Sequence, residues 1–115
     1  MDYKLQHTKL YDTDLANCFY YIRHELKANN ACVQFKKAVL KAYKNLKTIP
    51  ESFGRINLNN KEKYILRFYA IGNYVILYSV HDNTVRLHRF LYAKSNWKTM
   101  LENNKFKIED IKRYK

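Results

Sequence analysis

The strand-like stretch over residues 64–97 gathers the side chains of this chain that are best suited to chemistry. Arg67, Arg86, His88, Arg89, Tyr92, Lys94 and Trp97 lie along it, and Lys98 follows directly. Its last part, residues 84–97, mixes Arg, His, Lys, Tyr, Phe and Trp and contains no acid. Guanidinium groups match phosphate and carboxylate, imidazole exchanges protons near neutral pH, and aromatic rings pack on flat or apolar groups. A sheet holds such side chains at fixed spacing, where a loop does not. The surface suits a polyanion, a base or an acidic partner, and the residue types leave open whether it only binds or also cuts.

Composition points the same way. The chain has 115 residues, with 22 Lys+Arg against 10 Asp+Glu and a net charge of +12. That excess predicts attraction to nucleic acid, acidic protein or anionic membrane. Residues 26–50 carry Lys27, Lys36, Lys37, Lys41, Lys44 and Lys47 and no acid. Lys37, Lys41 and Lys44 follow at helical spacing, as a solvated face or as the rim of a phosphate-binding surface. Cys18 and Cys32 lack metal-ligand spacing and read as buried or half-buried free thiols, not as a disulfide framework. His7, His24 and His81 are too scattered to argue a metal site. No Ser/His/Asp or Cys/His nucleophile pattern and no phosphate-cradling glycine loop can be drawn, so neither metal nor cofactor is expected. With no secretory leader pattern and no membrane-length apolar run, the expected protein is soluble, reduced and cytoplasmic, with no membrane partner.

The elements that must position these residues follow from periodicity. Residues 3–8 alternate as a short strand. Asp12-Thr13-Asp14 offers an N-cap to a helix marked by Leu15, Cys18, Phe19, Ile22 and Leu26. Asn29-Asn30 breaks it. Residues 31–48 form a second helix with an apolar stripe of Phe35, Ala38, Val39, Ala42 and Leu46, continued by Ile49, until Pro50 ends it. Residues 51–63 read as a polar loop. Strands follow at 64–71, 74–81 and 84–92, turned by Gly72-Asn73 and Asp82-Asn83. Val85 and Leu87 share one parity while Phe90 and Tyr92 share the other, which fits either a bulge near His88-Arg89 or a strand covered in part on both faces. The expected fold is α+β in the order β-α-α-β-β-β, an antiparallel sheet with an α-helical hairpin packed on one face. Residues 1–101 make one domain with a short helix near its end, and 102–115 a basic tail.

Three segments in this order resemble the RelE/ParE superfamily, the toxins of bacterial type II toxin–antitoxin systems. LKTIPESFGR (46–55) is similar to the "L…P…GR" segment closing the second helix of ParE-like toxins. RFYAIGNYVILYSV (67–80) resembles the Arg-then-"Y-x-I-x-Y-x-V" hairpin, and RFLYAKSNW (89–97) the last strand and its sequel. Tyr92 stands where many members carry His, Ala93 where they carry Gly, Ser95 where they carry a basic residue and Asn96 where they carry Asp.

The resemblance is closer to the ParE-like branch and implies a plasmid-stabilization type of toxin that inhibits DNA gyrase. The alternative is a RelE-like, ribosome-dependent mRNA endonuclease. Metal-independent RNA cleavage needs a base at the ribose 2′-OH, cations on the phosphorane and an acid for the leaving oxygen. Arg67 and Arg86 are the candidate phosphate holders. Lys61, Glu62 or Lys63 would sit near the 2′-OH, and His88 or Tyr92 would donate the proton or stack on a base, provided all share one concave face. Each also has a structural reading: Arg67 braced against the helix layer, His88 on the strand surface, Tyr92 at the core edge, and Trp97 anchoring the C-terminal segment. Lys61, Lys63, Arg55, Arg89, Lys94 and Lys98 are the candidate RNA- or partner-binding residues. The implied partner is a cognate acidic antitoxin that lays a helix beside the hairpin or adds a strand to the sheet, with DNA contacted only through that complex.

Overall fold

A computed structural model of the protein describes residues 2–25, 29–56 and 65–102. Leu26, Lys61, Glu62, Lys63, Tyr64 and the tail beyond 102 lie outside them. Among the described residues the chain runs β1 (Lys4–His7), α1 (Lys9–His24), α2 (Asn29–Thr48), a 3-10 turn (Pro50–Ser52), β2 (Gly54–Ile56), β3 (Leu66–Ile71), β4 (Tyr74–His81), β5 (Thr84–Tyr92) and α3 (Trp97–Glu102). The strands form one sheet in the order β1-β5-β4-β3-β2. This is the expected α+β architecture, with a helical hairpin, a sheet and a small C-terminal helix.

Three details depart from expectation. β1 pairs with β5 in parallel, Lys4 opposite Thr84 through His7 opposite Leu87, so the sheet is mixed. Parallel neighbours need a long crossover, and the chain between β1 and β5 supplies it. β2 lies where a loop was expected: three residues are too few to show alternation. Gly54 is required there, because a Cβ at this position would run into the Phe68 ring of the neighbouring strand. Finally, α1 starts earlier than the Asp12-Thr13-Asp14 cap predicts. Thr8, in extended conformation, is the N-cap, and its Oγ1 accepts from the Tyr11 N–H at 3.0 Å. The same hydroxyl donates to the His88 carbonyl at 3.0 Å, tying the start of α1 to β5.

The sheet has two apolar faces. Toward the hairpin, Tyr11, Ile22, Phe35, Val39, Ala42 and Leu46 pack on Ile71, Ile76, Tyr78, Val85, Leu87 and Phe90. The predicted stripe of α2 is this buried face, except that Ile49 is exposed. Phe35 sits at its centre, edge-on to Phe19, Tyr74 and Phe90 at 4.9, 5.3 and 5.6 Å. On the opposite face Leu66, Val75, Leu77, Trp97 and Leu101 form a smaller cluster, so Trp97 does anchor the C-terminal helix. Alternation along β4 serves both: Ile76 and Tyr78 face the hairpin, while Val75 and Leu77 face α3.

The bulge is present. Leu77 pairs with Arg89 and Tyr78 with Leu87, so His88 is the extra residue of β5. One additional residue reverses parity, which is why Val85 and Leu87 before it and Phe90 after it all reach the hairpin core.

Candidate functional site

Three of the candidate arginines of the sheet, Arg67, Arg86 and Arg89, are engaged inside the fold, each at a different place. Arg67 lies on β3 opposite Tyr78 and is nearly buried. Its Nη1 donates to the Glu51 and Phe53 carbonyls at 3.1 and 3.0 Å. The Tyr78 hydroxyl donates to the Pro50 carbonyl of the same turn. Burial pushes that hydroxyl's pKa up, so it stays a donor. Together these two side chains hold the turn that follows α2, which matches the braced reading of Arg67.

Arg86 lies on the face away from the hairpin. Its Nε and Nη2 both donate to Gln6 Oε1 of β1, at 3.2 and 3.0 Å. Beside it, Ser79 Oγ stands between His88 Nε2 at 2.8 Å and His81 Nε2 at 2.6 Å. Ser79 and His88 are fully buried, and His81 is partly exposed. This corrects the surface reading of His88: the bulge carries it inward onto Ser79. A hydroxyl has one hydrogen, so if Ser79 donates to one imidazole it accepts from the other. Burial, then the neighbouring Arg86, hold the His81 pKa below its usual value, with Asp82 opposing.

Arg89 forms an ion pair with Asp14 of α1, Nε to Oδ2 at 2.6 Å and Nη2 to Oδ1 at 3.0 Å. Asp14 Oδ2 also accepts the Phe90 backbone N–H at 3.0 Å. The aspartate thus closes the edge of β5 beyond the end of β1 and fastens α1 to it. Tyr92, at the far end of β5, is exposed and meets Tyr74 edge-on at 5.9 Å. Arg55 lies opposite Arg67 on β2 and is exposed, as are Lys94 and Lys98. The structure therefore brings Arg86 and His88 to one face, sets Arg67 on the other, and leaves Tyr92 at the sheet's end.

A groove on the outside of the hairpin was not singled out from the sequence. Ala16, Phe19, Tyr20, Arg23, His24, Cys32, Val33 and Lys36 line a cavity of about 530 Å³. Tyr20, Val33 and Leu40 are large apolar side chains left in solvent. Lys36, Lys37, Lys41, Lys44 and Lys47 stand exposed around them. The signal in the sequence was Val33 and Leu40, two helical turns apart and off the buried stripe of α2. Cys18 and Cys32 are partly buried free thiols as expected, and burial followed by Asp14 pushes the Cys18 pKa up to about 11. Among the described residues no His/Cys/Asp/Glu group is arranged to hold a metal, and no helix is long and apolar enough to cross a membrane.

Comparison with known proteins follows this geometry. The family model of the ParE toxin of the type II toxin–antitoxin system parDE matches residues 5–97. Among solved structures, the chromosomal ParDE toxin–antitoxin system from P. aeruginosa has a similar fold. Its TM-score is 0.59 at 12% identity, covering 80% of this chain and 97% of that one. No curated protein sequence matches.

Proposed function

The chain belongs to the ParE toxin family of type II toxin–antitoxin systems, and from that premise we propose that it arrests growth by binding and inhibiting DNA gyrase, without cutting nucleic acid. The observation that carries this is the placement of its cations. A nuclease must bring base, phosphate-holding cations and acid to within contact of one reacting phosphate. Arg67 grips the Glu51 and Phe53 carbonyls on the hairpin side, whereas Arg86 grips Gln6 on the opposite face. A sheet stands between them. Rigid arginines used as struts leave a fold that works by presenting surface, which supports an inhibitor that acts by binding.

The same proposal includes a cognate acidic antitoxin as neutralising partner. The hairpin groove fits an amphipathic helix: Phe19, Tyr20 and Val33 offer apolar contact, with Arg23 and Lys36 at its margin and no acid among its described lining residues. Binding is expected to weaken with salt, because exposed charges are screened over about 8–10 Å at physiological ionic strength. A cytoplasmic location, DNA contact only through the antitoxin complex, and the division into a toxin domain of residues 1–101 and a basic tail belong to this proposal.

The runner-up, an mRNA endonuclease, keeps one supporting observation: Arg86 and the partly exposed His81 share the face away from the hairpin. Induction in a bacterium separates the two. Plasmid supercoiling and mRNA 5′ ends are followed in the same culture. Lost supercoiling with intact messages supports gyrase inhibition; cleaved messages with normal supercoiling overturn it.

A further inference from the structure

We propose that a second cavity, on the face of the sheet away from the hairpin, anchors an extended acidic segment of a protein partner through one apolar side chain. The cavity measures about 440 Å³ and lies between β3, β4 and residues 93–99. Phe68, Ala70, Val75 and Ala93 give it apolar walls, and Ser95, Asn96 and Thr99 add hydrogen-bonding groups. Among the described lining residues Lys98 carries the charge, and none is an acid. Its ammonium stands 5.6 Å from the Phe68 ring centroid and 5.4 Å from that of Trp97. Attraction to both ring faces holds the charge beside the cavity. The arrangement asks for an apolar side chain that fills the space and a carboxylate next to it that meets Lys98.

The walls favour peptide over nucleic acid. Base recognition by stacking needs an open ring face. Trp97 is buried, Phe68 is half-buried under Lys98, and the half-buried Tyr74 ring is packed against Phe35, Phe90 and Tyr92; the remaining wall is made of small aliphatic and polar side chains. A single ammonium also gives a phosphate backbone little to hold, whereas one carboxylate is enough to match it. The proposal stands on the chemistry of the cavity itself and does not depend on gyrase being the target.

The test titrates isotope-labelled full-length protein with a short synthetic acidic peptide carrying one central leucine. Its amide analogue, with Asn and Gln for the acids, and a thymidine oligonucleotide are titrated in parallel. The acidic peptide should shift the resonances of Val75, Ala93 and Trp97. Lys98→Glu should weaken it by about tenfold or more, Lys98→Arg should retain it, and Ala70→Phe should block it by filling the space. Both sites are exposed, so these variants keep the fold. Shifts confined to Phe19 and Val33, equal binding of the amide analogue, or an oligonucleotide that displaces the peptide would each overturn the proposal. A failed gyrase assay would leave these shifts unchanged, so the two conclusions fail separately.

Discussion

In the sheet, Arg67, Arg86 and Arg89 turn inward onto carbonyls, an amide and a carboxylate, whereas on α2 the cations Lys36, Lys37, Lys41, Lys44 and Lys47 stand in solvent around exposed Val33 and Leu40. The division follows the chemistry of the two side chains. A guanidinium is planar, weakly hydrated and able to serve several acceptors at once. An ammonium is compact, strongly hydrated and stays in water unless a partner displaces it. These three arginines of the sheet therefore hold elements together, and the lysines of the hairpin are left for encounter. A net charge of +12 does not by itself distinguish these uses.

The comparison can be broken by substitution, and the largest effect belongs to the inward set. Asp14→Ala removes the ion pair from Arg89 and the carboxylate that accepts the Phe90 N–H. The side chains of the pair are only 16% and 13% exposed. The expected cost is about 2–4 kcal/mol, read from urea denaturation, and a loss below about 1 kcal/mol would mean the pair is not a strut. Arg67→Met comes next, at about 2 kcal/mol for two lost carbonyl contacts. Arg55→Met, its exposed neighbour across the strands, should stay within about 0.5 kcal/mol. Equal costs at the two positions would erase the contrast between inward and outward arginine.

The outward set should show the reverse pattern. Replacing Lys37, Lys41 and Lys44 by Gln should leave the denaturation midpoint almost unchanged. Antitoxin affinity at low salt should fall by about tenfold, and the gap to the parent should close at high salt. Calorimetry at two salt concentrations reads this directly.

The smallest effect is pH dependence. The His81 pKa in the fold lies below its ordinary value of 6.5. The unfolded chain therefore takes up the proton first. Stability is full above pH 6.5 and declines as pH falls from there through the lower folded pKa. His81→Gln should flatten that slope in denaturation curves collected across the range. A slope that persists unchanged would place its origin elsewhere.

Most of the architecture could be read in advance because it rests on periodicity. Phe35, Val39, Ala42 and Leu46 recur at helical spacing and are buried as that spacing demands. β4 and β5 occupy the expected residues, and of the two accounts of the parity change between Leu87 and Phe90 the bulge is the one present. What escaped depends on partners far away in sequence. Nothing near Arg67 reveals that its guanidinium will find the carbonyls of Glu51 and Phe53. Nothing near Asp14 reveals Arg89, so Asp14 read as a cap when it is a tether. β2 was missed because its place is set by the Phe68 ring over Gly54 and not by alternation. Two of the nuclease candidates, Arg67 and Arg86, looked alike as strand arginines, and tertiary packing placed them on opposite sides.

The extra residue at His88 has an implication for how this strand tolerates change. Along β5 the chain counts in twos, and His88 is a single beat inserted between two halves that are out of phase. Exchanging the side chain at that position acts in a fully buried place, against Ser79. Deleting the position would bring the halves into phase and leave Phe90 on the face of Val85 and Leu87, but it would remove the carbonyl that Thr8 holds and the imidazole that meets Ser79. Loss of residue 88 should thus be felt through those two ties and not through register, whereas a residue gained or lost elsewhere between Leu87 and Phe90 with His88 kept would turn Phe90 out of the core.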